Sequence, residues 1–327
     1  MAGASVLLLA GCAAGASDPD AGAEAEAEGI SSLGIIVPAD PGGGWDQTGR
    51  ALAEVAVQEG FVSSAPVTNI GGAGGTIGLS SLANETDPLT LMLTGFVMVG
   101  AVETNGSEVR LEDTTPIARL TEEAGVIVVP AGSPYETLED LVDDMIENGK
   151  EVSITGGSAG GVDHILAAQL LKEAGQSAAD INAKLNYIPN SGGGEAVTLL
   201  LGAKVSAGIS GISEFAEQVK AGELKALAVS SAEPSELLPD VPTIIESGYD
   251  LEITNWRGVI APGNISDADR EKLVGFVTEL AATSAWKDIL ETKGWADAFL
   301  GGDEFDAYLD ENITDVTAVL KDIGLIG

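Results

Sequence analysis

Short apolar runs alternate with amphipathic stretches along most of the chain. Residues 34–37 form an apolar run that breaks at Pro38. From 45 to 58 the apolar positions Leu52, Val55 and Ala56 recur at helical spacing, so the pattern predicts a strand and then a helix. The same alternation predicts a strand at 67–70 with a helix at 77–84, and a strand at 89–94 with a weaker helical segment to Glu103. Two further strands are expected at 117–120 and 126–130, separated by the polar stretch Thr121-Glu-Glu. Leu138, Leu141, Val142 and Met145 mark a helix over 137–148; a strand at 152–155 and a helix at 162–174 follow, the latter stopped by Gly175. Strands at 185–188, 205–209 and 224–230 alternate with helices at 196–201 and 214–220. A Pro/Ser/Glu-rich crossing at 231–242 leads to an apolar run at 253–261. From Ser266 onward the chain reads as mostly helical, with Leu273, Phe276 and Leu280 on one face. Such alternation implies an α/β protein whose parallel strands are flanked by helices, with ligands beyond the carboxyl ends of the strands. A length of 327 residues suits two lobes.

Glycine clusters punctuate this pattern at 42–44, 71–75, 156–161 and 192–194, each after a predicted strand and before a predicted helix. Glycines there leave backbone N–H groups uncovered, and the helix behind adds its unpaired first-turn donors and the positive end of its dipole. The first cluster has Asp46 placed to cap its helix and to pair with Arg50 one turn on. One such turn reads as a tight strand-to-helix connection. Four of them at strand ends, facing one cleft, predict a site for negatively charged groups.

The charge makes that site unusual. Fifteen Lys+Arg stand against 51 Asp+Glu, a net charge of −36. This excludes nucleic acid as a partner, because neutralising phosphates needs clustered cations, and it favours solubility in strong salt. No stretch fits a dinucleotide fingerprint: Gln47 follows Gly42 and Gly44, and Ile77 follows Gly72 and Gly74. There is no phosphate-binding G-x-x-x-x-G-K-[ST] motif either, so no cofactor is expected. Cys/His and carboxylate clusters with metal-site spacing are lacking in the sequence. Gly156-Gly-Ser158-Ala-Gly160 matches the nucleophile elbow of serine hydrolases. The single histidine, His164, lies in the helix that follows, where it could not reach Ser158 without unwinding that helix.

One cysteine, Cys12, excludes an internal disulfide. The run Val6-Leu-Leu-Leu-Ala-Gly-Cys12 is similar to the lipobox of bacterial lipoproteins, whose cysteine is acylated and becomes the mature N-terminus. It is too short to span a bilayer. No Lys or Arg precedes Arg50, so residues 1–12 read as a lipoprotein signal truncated of its basic region. Residues 13–29, rich in Ala, Glu, Asp and Gly, read as a disordered tether, and the protein as exported and anchored.

Beyond these readings, the motifs resemble one family. Val37-Pro-Ala-Asp-Pro-Gly-Gly-Gly-Trp-Asp46, Asn69-Ile-Gly-Gly-Ala-Gly-Gly-Thr-Ile-Gly78 and Gly157-Ser-Ala-Gly-Gly-Val-Asp-His164 look like its ligand-loop signatures. Ser191-Gly-Gly-Gly-Glu-Ala-Val-Thr-Leu-Leu-Leu-Gly202, Lys220-Ala-Gly-Glu-Leu-Lys-Ala-Leu-Ala-Val229, Leu238-Pro-Asp-Val-Pro-Thr243 and Asn255-Trp-Arg-Gly258 continue the match to cover about residues 33–327. The family is the extracytoplasmic solute receptors of tripartite tricarboxylate transporters, related to the Bug receptors. The resemblance is closest to its tricarboxylate branch. It implies a two-lobed periplasmic binding protein of type II, each lobe a mostly parallel sheet flanked by helices, hinged by two crossings. The lobes are expected at 30–125 plus 232–327 and at 126–231.

Carried over by motif, the implied ligand contacts are Gly43, Gly44, Trp45, Asp46 and Thr76 on one lobe. The other lobe would supply Ser158, Ala159, Gly160, Asp163, His164, Asn190 and Ser191. Asp163 and His164 have the alternative role of orienting their loop, and Trp45 that of packing. Many relatives carry an acid where this chain has Ser210, which argues against a contact to a ligand amine. Arg257 is the candidate cation for a further carboxylate, with an ion pair at the surface or between lobes as its alternative role. The expected protein is a monomeric receptor that captures a di- or tricarboxylate and delivers it to large and small membrane subunits. The alternatives are a sensor co-receptor for another organic acid and, from a different class, a serine hydrolase.

Overall fold

Strand β1 (Gly34–Val37) lies between β2 (Val67–Asn69) and β3 (Thr90–Gly95) and is parallel to both. This computed structural model describes residues 30–190 and 193–327; Cys12, the expected tether and Ser191 lie outside the described residues. Ile35 and Val37 are fully buried and Ile36 nearly so, so both faces of β1 are covered, as an uninterrupted apolar run requires. Helices α1 (Gly44–Gln58), α2 (Thr76–Leu82) and α3 (Phe96–Thr104) follow these strands in turn. The chain then enters β4 (Thr115–Pro130), which takes part in both lobes.

The second lobe is built on β5 (Ser153–Gly156), β6 (Asn186–Pro189), β7 (Ala207–Gly211) and β8 (Leu224–Val229). Its helices are α4 (Leu138–Asn148), α5 (Val162–Glu173), α6 (Ala178–Lys184), α7 (Gly193–Leu201) and α8 (Ile212–Lys220). α4 starts on a capping box: the Thr137 hydroxyl accepts the Asp140 N–H at 3.1 Å, and the Asp140 carboxylate accepts the Thr137 N–H at 2.9 Å. The chain returns through β9 (Thr254–Ala261), α9 (Asp267–Ala281), α10 (Ser284–Lys293), β10 (Ala296–Gly301) and α11 (Asp303–Asp322).

The strand order is β2-β1-β3-β9-β4-β7-β5-β6, with β8 and β10 also paired to β4. Each lobe is parallel where its glycine turns lie (β2-β1-β3 and β7-β5-β6) and antiparallel where β4, β8, β9 and β10 join. β4 changes partners at one point: residues 115–124 pair with β9, residues 125–128 with β7. The sequence predicted two strands here, because Glu122-Glu123 reads as a break. The strand is continuous because Glu123 is buried against a cation of β9. Beyond the switch, alternation sends Ile127 and Val129 into the main core, while Val126 and Val128 pack with Phe215, Leu200 and Ile212 in a second one.

Helix α6 and strand β10 are absent from the sequence-based reading. Both bury little: one residue of α6, Ile181, and one of β10, Ala298. Neither carries the periodic apolar signal on which such a reading depends.

The crossings between lobes meet at one side chain. Ser230, fully buried, donates its hydroxyl to the Ile253 carbonyl at 2.6 Å and accepts the Gly125 N–H at 2.7 Å. Its own N–H donates to the Gly125 carbonyl at 2.9 Å, and its carbonyl accepts the Ile253 N–H at 3.0 Å. The outgoing and returning segments are thereby stitched where the chain passes from lobe to lobe. Ser230→Ala leaves a buried donor and a buried acceptor without that partner. It is expected to lower the free energy of unfolding by about 1–3 kcal/mol. Urea titration of the native protein and the variant checks this, and an unchanged midpoint would contradict it.

Candidate functional site

A cavity of about 90 Å³ opens between the lobes. One wall comes from Gly43, Gly44 and Trp45 at the start of α1 and from Gly74 and Gly75 before α2. The facing wall comes from Gly157 and Ser158 after β5, Asn190 after β6, and Ser210, Gly211 and Glu214 at the start of α8. Asn255 and Arg257 close the floor. Three of the glycine turns therefore converge as expected. Of the fourth, Asn190 and Ala196 reach the wall from either side of the undescribed residues.

Strand alternation explains the floor. In Asn255-Trp256-Arg257 the middle residue points into the core, where its ring meets Phe305 and Tyr308 edge-on and its Nε1 donates to Asn312 at 3.0 Å. Its neighbours face the cavity. Arg257 is 1% exposed; its Nη2 donates to the Glu123 carboxylate at 2.5 Å, and its guanidinium lies 5.2 Å from the centre of the Trp295 ring. Nη1 of this buried group has no hydrogen-bond partner among the described residues. Gly44 lacks a side chain because there is no room for one: a Cβ there would lie 2.4 Å from Arg257 Nη2.

Asp46 builds the first turn rather than lining the cavity. Its carboxylate accepts the Gly42 N–H at 2.9 Å, Arg50 Nε at 3.0 Å and Asn69 Nδ2 at 2.9 Å. Burial works against its charge, but these donors prevail and hold its carboxyl below the usual range. The pairing with Arg50 is present; the expected cap is replaced by a reach back to Gly42. Trp45 both packs and lines. Its ring lies against Gly75, where a Cβ would meet Cζ3 at 2.8 Å, and it borders the cavity. Thr76 is turned away, donating to the Ala73 carbonyl at 3.0 Å.

The third turn is braced from behind. The Gly157 N–H donates to Asp163 at 2.8 Å, and the Gly157 carbonyl accepts the Tyr187 hydroxyl at 2.9 Å. His164 accepts the Gly160 N–H on Nδ1 at 3.1 Å and stacks on Tyr187 with ring centres 4.2 Å apart. Burial holds the His164 pKa down to about 4, which keeps Nδ1 free to accept. That orientation commits the His164 Nδ1 to the turn and not to Ser158. Ala159, Gly160 and His164 are not in the cavity wall. Gly160 is pressed against α3, where a Cβ on Gly100 would sit 1.8 Å from its carbonyl oxygen. Asn190 reaches the wall, but its amide donates to the Thr155 hydroxyl at 2.7 Å and the Gly156 carbonyl at 2.8 Å.

Two acids missing from the sequence-based set complete the site. Glu214 accepts the Gly44 N–H at 2.8 Å across the cleft and the Ser210 hydroxyl at 2.8 Å. Glu123 accepts the Ser213 N–H at 2.8 Å besides pairing with Arg257. Ser210 lies near the end of β7 and Glu214 in the first turn of α8, from which its carboxylate reaches back to the Ser210 hydroxyl. Burial first, then the nearby Glu123 charge, raises the Glu214 pKa. Burial likewise pushes Asp163 up to about 7, against the Gly157 N–H and with help from Glu214 and Glu123. Among the described residues no group of His, Cys, Asp and Glu is arranged to hold a metal, and no helix is long and apolar enough to cross a membrane.

Comparison with known proteins extends the geometry. The sequence pattern of the tripartite tricarboxylate transporter family receptor matches residues 51–325. An Agrobacterium vitis protein described as a UPF0065 protein in the TAR-I ttuE-ttuC' intergenic region is 31% identical over 249 residues, 74% of this chain and 69% of its own. Among solved structures, the periplasmic binding protein BugD superposes with a TM-score of 0.81 at 23% identity, covering 90% of this chain and 98% of its own. MatC from Rhodopseudomonas palustris, solved with bound malate, gives 0.76 at 20% identity, covering 90% and 99%.

The Asp163 carboxyl gives a pH test of this architecture. From about pH 4, the ordinary carboxyl range, up to about 7, the folded state keeps a proton that the unfolded chain has released. The group therefore lowers stability progressively across that window and by a constant amount above it. Asp163→Asn keeps an acceptor for the Gly157 N–H and removes the titration. It is expected to raise the melting temperature more at pH 8 than at pH 5, read by scanning calorimetry; an equal shift at both would contradict it.

Proposed function

The chain belongs to the tripartite tricarboxylate transporter receptor family, and we propose that it captures a di- or tricarboxylate in the interlobe cavity and delivers it to the transporter's membrane subunits. As a member of that family it is an extracytoplasmic solute-binding receptor and not an enzyme. The observation that carries the ligand class is Arg257, a guanidinium at the floor of a cavity walled by glycine turns whose buried Nη1 has no hydrogen-bond partner among the described residues. A group of that kind asks for an anionic acceptor, and a carboxylate is the acceptor a guanidinium fits best. The Ser158 hydroxyl and the exposed turn N–H groups would take the ligand's remaining oxygens. Malate in MatC, a protein of the same fold, is a ligand of this class.

Long-range attraction cannot help a protein of net charge −36 collect an anion. At physiological salt its field is screened beyond about 8 Å, and affinity rests on the short-range donors of the cleft. In the proposed cycle, residues 30–125 plus 232–327 move as one body and 126–231 as the other, bending near Ser230 and closing on the ligand. The receptor acts as a monomer, held at the membrane through a lipid on Cys12 and within reach of the large and small membrane subunits.

A thermal-shift screen over malate, adipate and citrate tests the ligand class. At least one acid is expected to raise the melting temperature, because a ligand that binds only the folded state stabilises it. Gly44→Ala, whose new methyl would drive Arg257 off its position, is expected to weaken binding of that acid at least about tenfold, or roughly 1.4 kcal/mol. Unchanged melting with every acid would overturn the reading. For the anchor, cells fed labelled palmitate should label the native protein and not Cys12→Ser; labelling of both would refute it.

A further inference from the structure

Three carboxyls and one guanidinium meet in the cleft. Arg257 and Glu123 pair with each other, which leaves Glu214 and Asp163 facing the cavity without an ion pair of their own among the described residues. Glu214 is also placed where a ligand is expected. Its Oε1 accepts the N–H of Gly44, the first donor of α1, and its Oε2 accepts the Ser210 hydroxyl. A side chain of one lobe thus fills the anion position of the other.

Resting on the carboxylate-receptor reading, we infer that Glu214 is a specificity-determining residue: it stands in for a ligand carboxylate at the first glycine turn, and the ligand enters together with one proton. A dicarboxylate added to the cleft brings two negative charges beside two buried carboxyls, while the guanidinium that lines the cleft, Arg257, is already paired with Glu123. Uncompensated charge in such a place is costly, and the cheapest remedy is to neutralise a carboxyl. The groups facing Glu214 decide which one. Glu123 on β4 is paired with the Arg257 guanidinium on β9 and accepts the Ser213 N–H, so its counter-charge is already in place. Asp163 on α5 accepts the Gly157 N–H and, its carboxyl pushed up to about 7 by burial, already holds a proton at pH 5 to 6 and has none to take up there. Ser210 on β7 and the Gly44 N–H both donate to Glu214, which stabilises its charged form only while the cleft is empty. When a ligand oxygen takes over the Gly44 N–H, Glu214 loses that donor, gains a like charge beside it and binds a proton. Its new O–H can then donate to the ligand or to Ser210. Burial and Glu123 already bias it in this direction. The device favours dicarboxylates over fully ionised tricarboxylates at neutral pH, since each additional charge would need another proton.

Titration calorimetry of malate into the native protein from pH 5 to 8, in pairs of buffers with different ionisation heats, counts the protons directly. Uptake approaching one proton per malate is expected, with affinity falling by up to about tenfold per pH unit as pH rises above the Glu214 range. Glu214→Gln imitates the protonated side chain. It is expected to bind malate more tightly than the native protein at pH 8 and to lose the proton uptake that the native protein shows at pH 6. Ser210→Ala, which removes a donor that favours the charged form, should move the pH midpoint upward while keeping the uptake. Malate binding without proton uptake, or weakened by Glu214→Gln, would overturn the inference and leave the receptor reading standing. Tighter binding of aspartate than malate at pH 8, lost in Glu214→Gln, would also overturn it, because Glu214 would then be reading an ammonium. No binding of malate, adipate or citrate to either protein at any pH would remove the carboxylate reading and this inference together.

Discussion

The cleft depends on a guanidinium sealed beneath its floor. Arg257 is buried with its charge paired to Glu123, and Glu123 in turn is fixed by the first turn of α8 through the Ser213 N–H. The pair joins β9, β4 and α8, so one interaction spans the junction of the two sheets. Breaking such a pair from one side leaves a buried charge uncompensated, which costs far more than the pair itself contributes. The demands spread outward from there. Gly44 must lack a side chain to let the guanidinium pass, and Trp295 must offer its face to the charge.

Much of this was legible in the residues. The alternation of apolar runs and helical periods located most elements to within a few positions, because strands such as β1, β3, β5 and β7 are buried along nearly their whole length and helices such as α4 and α8 are amphipathic. The glycine turns announced the cavity for a local reason: a chain that must pass another backbone closely, or present bare N–H groups, has only glycine to use. Gly74, with a φ of +64° and Ala101 directly in front of it, is such a place. What the residues did not show is what depends on partners distant in the chain. Glu122-Glu123 reads as a polar break until Arg257, more than a hundred positions away, is brought beside it. Glu214 reads as an ordinary first-turn acid until Gly44 arrives from the other lobe. His164 and Asp46 were placed in the right turns, yet they serve the backbone of those turns and not the cavity.

The strongly negative surface and the donor-rich cleft are consistent with each other at short range. Anionic groups are accepted here by oriented N–H groups whose effect falls off within a helical turn, and by one shielded cation, so the outer charge does not compete with them. The protein's own buried carboxylates already use three of those backbone donors, at Gly44, Gly157 and Ser213. The turns that frame the cleft are thus held in shape by the chain's own acids.

Strand β4 belongs to both sheets, hydrogen-bonded to β9 on one side of Gly125 and to β7 and β8 on the other. Neither lobe is therefore a module with its own beginning and end: each borrows part of a strand from a segment that the other also needs. Exchanging a whole lobe between two relatives would split that strand, expose a sheet edge in each half and separate Glu123 from the rest of its ladder. New ligand preferences in this architecture must accordingly arise by replacing individual side chains along the rim of the cleft, with the shared strand carried through unchanged.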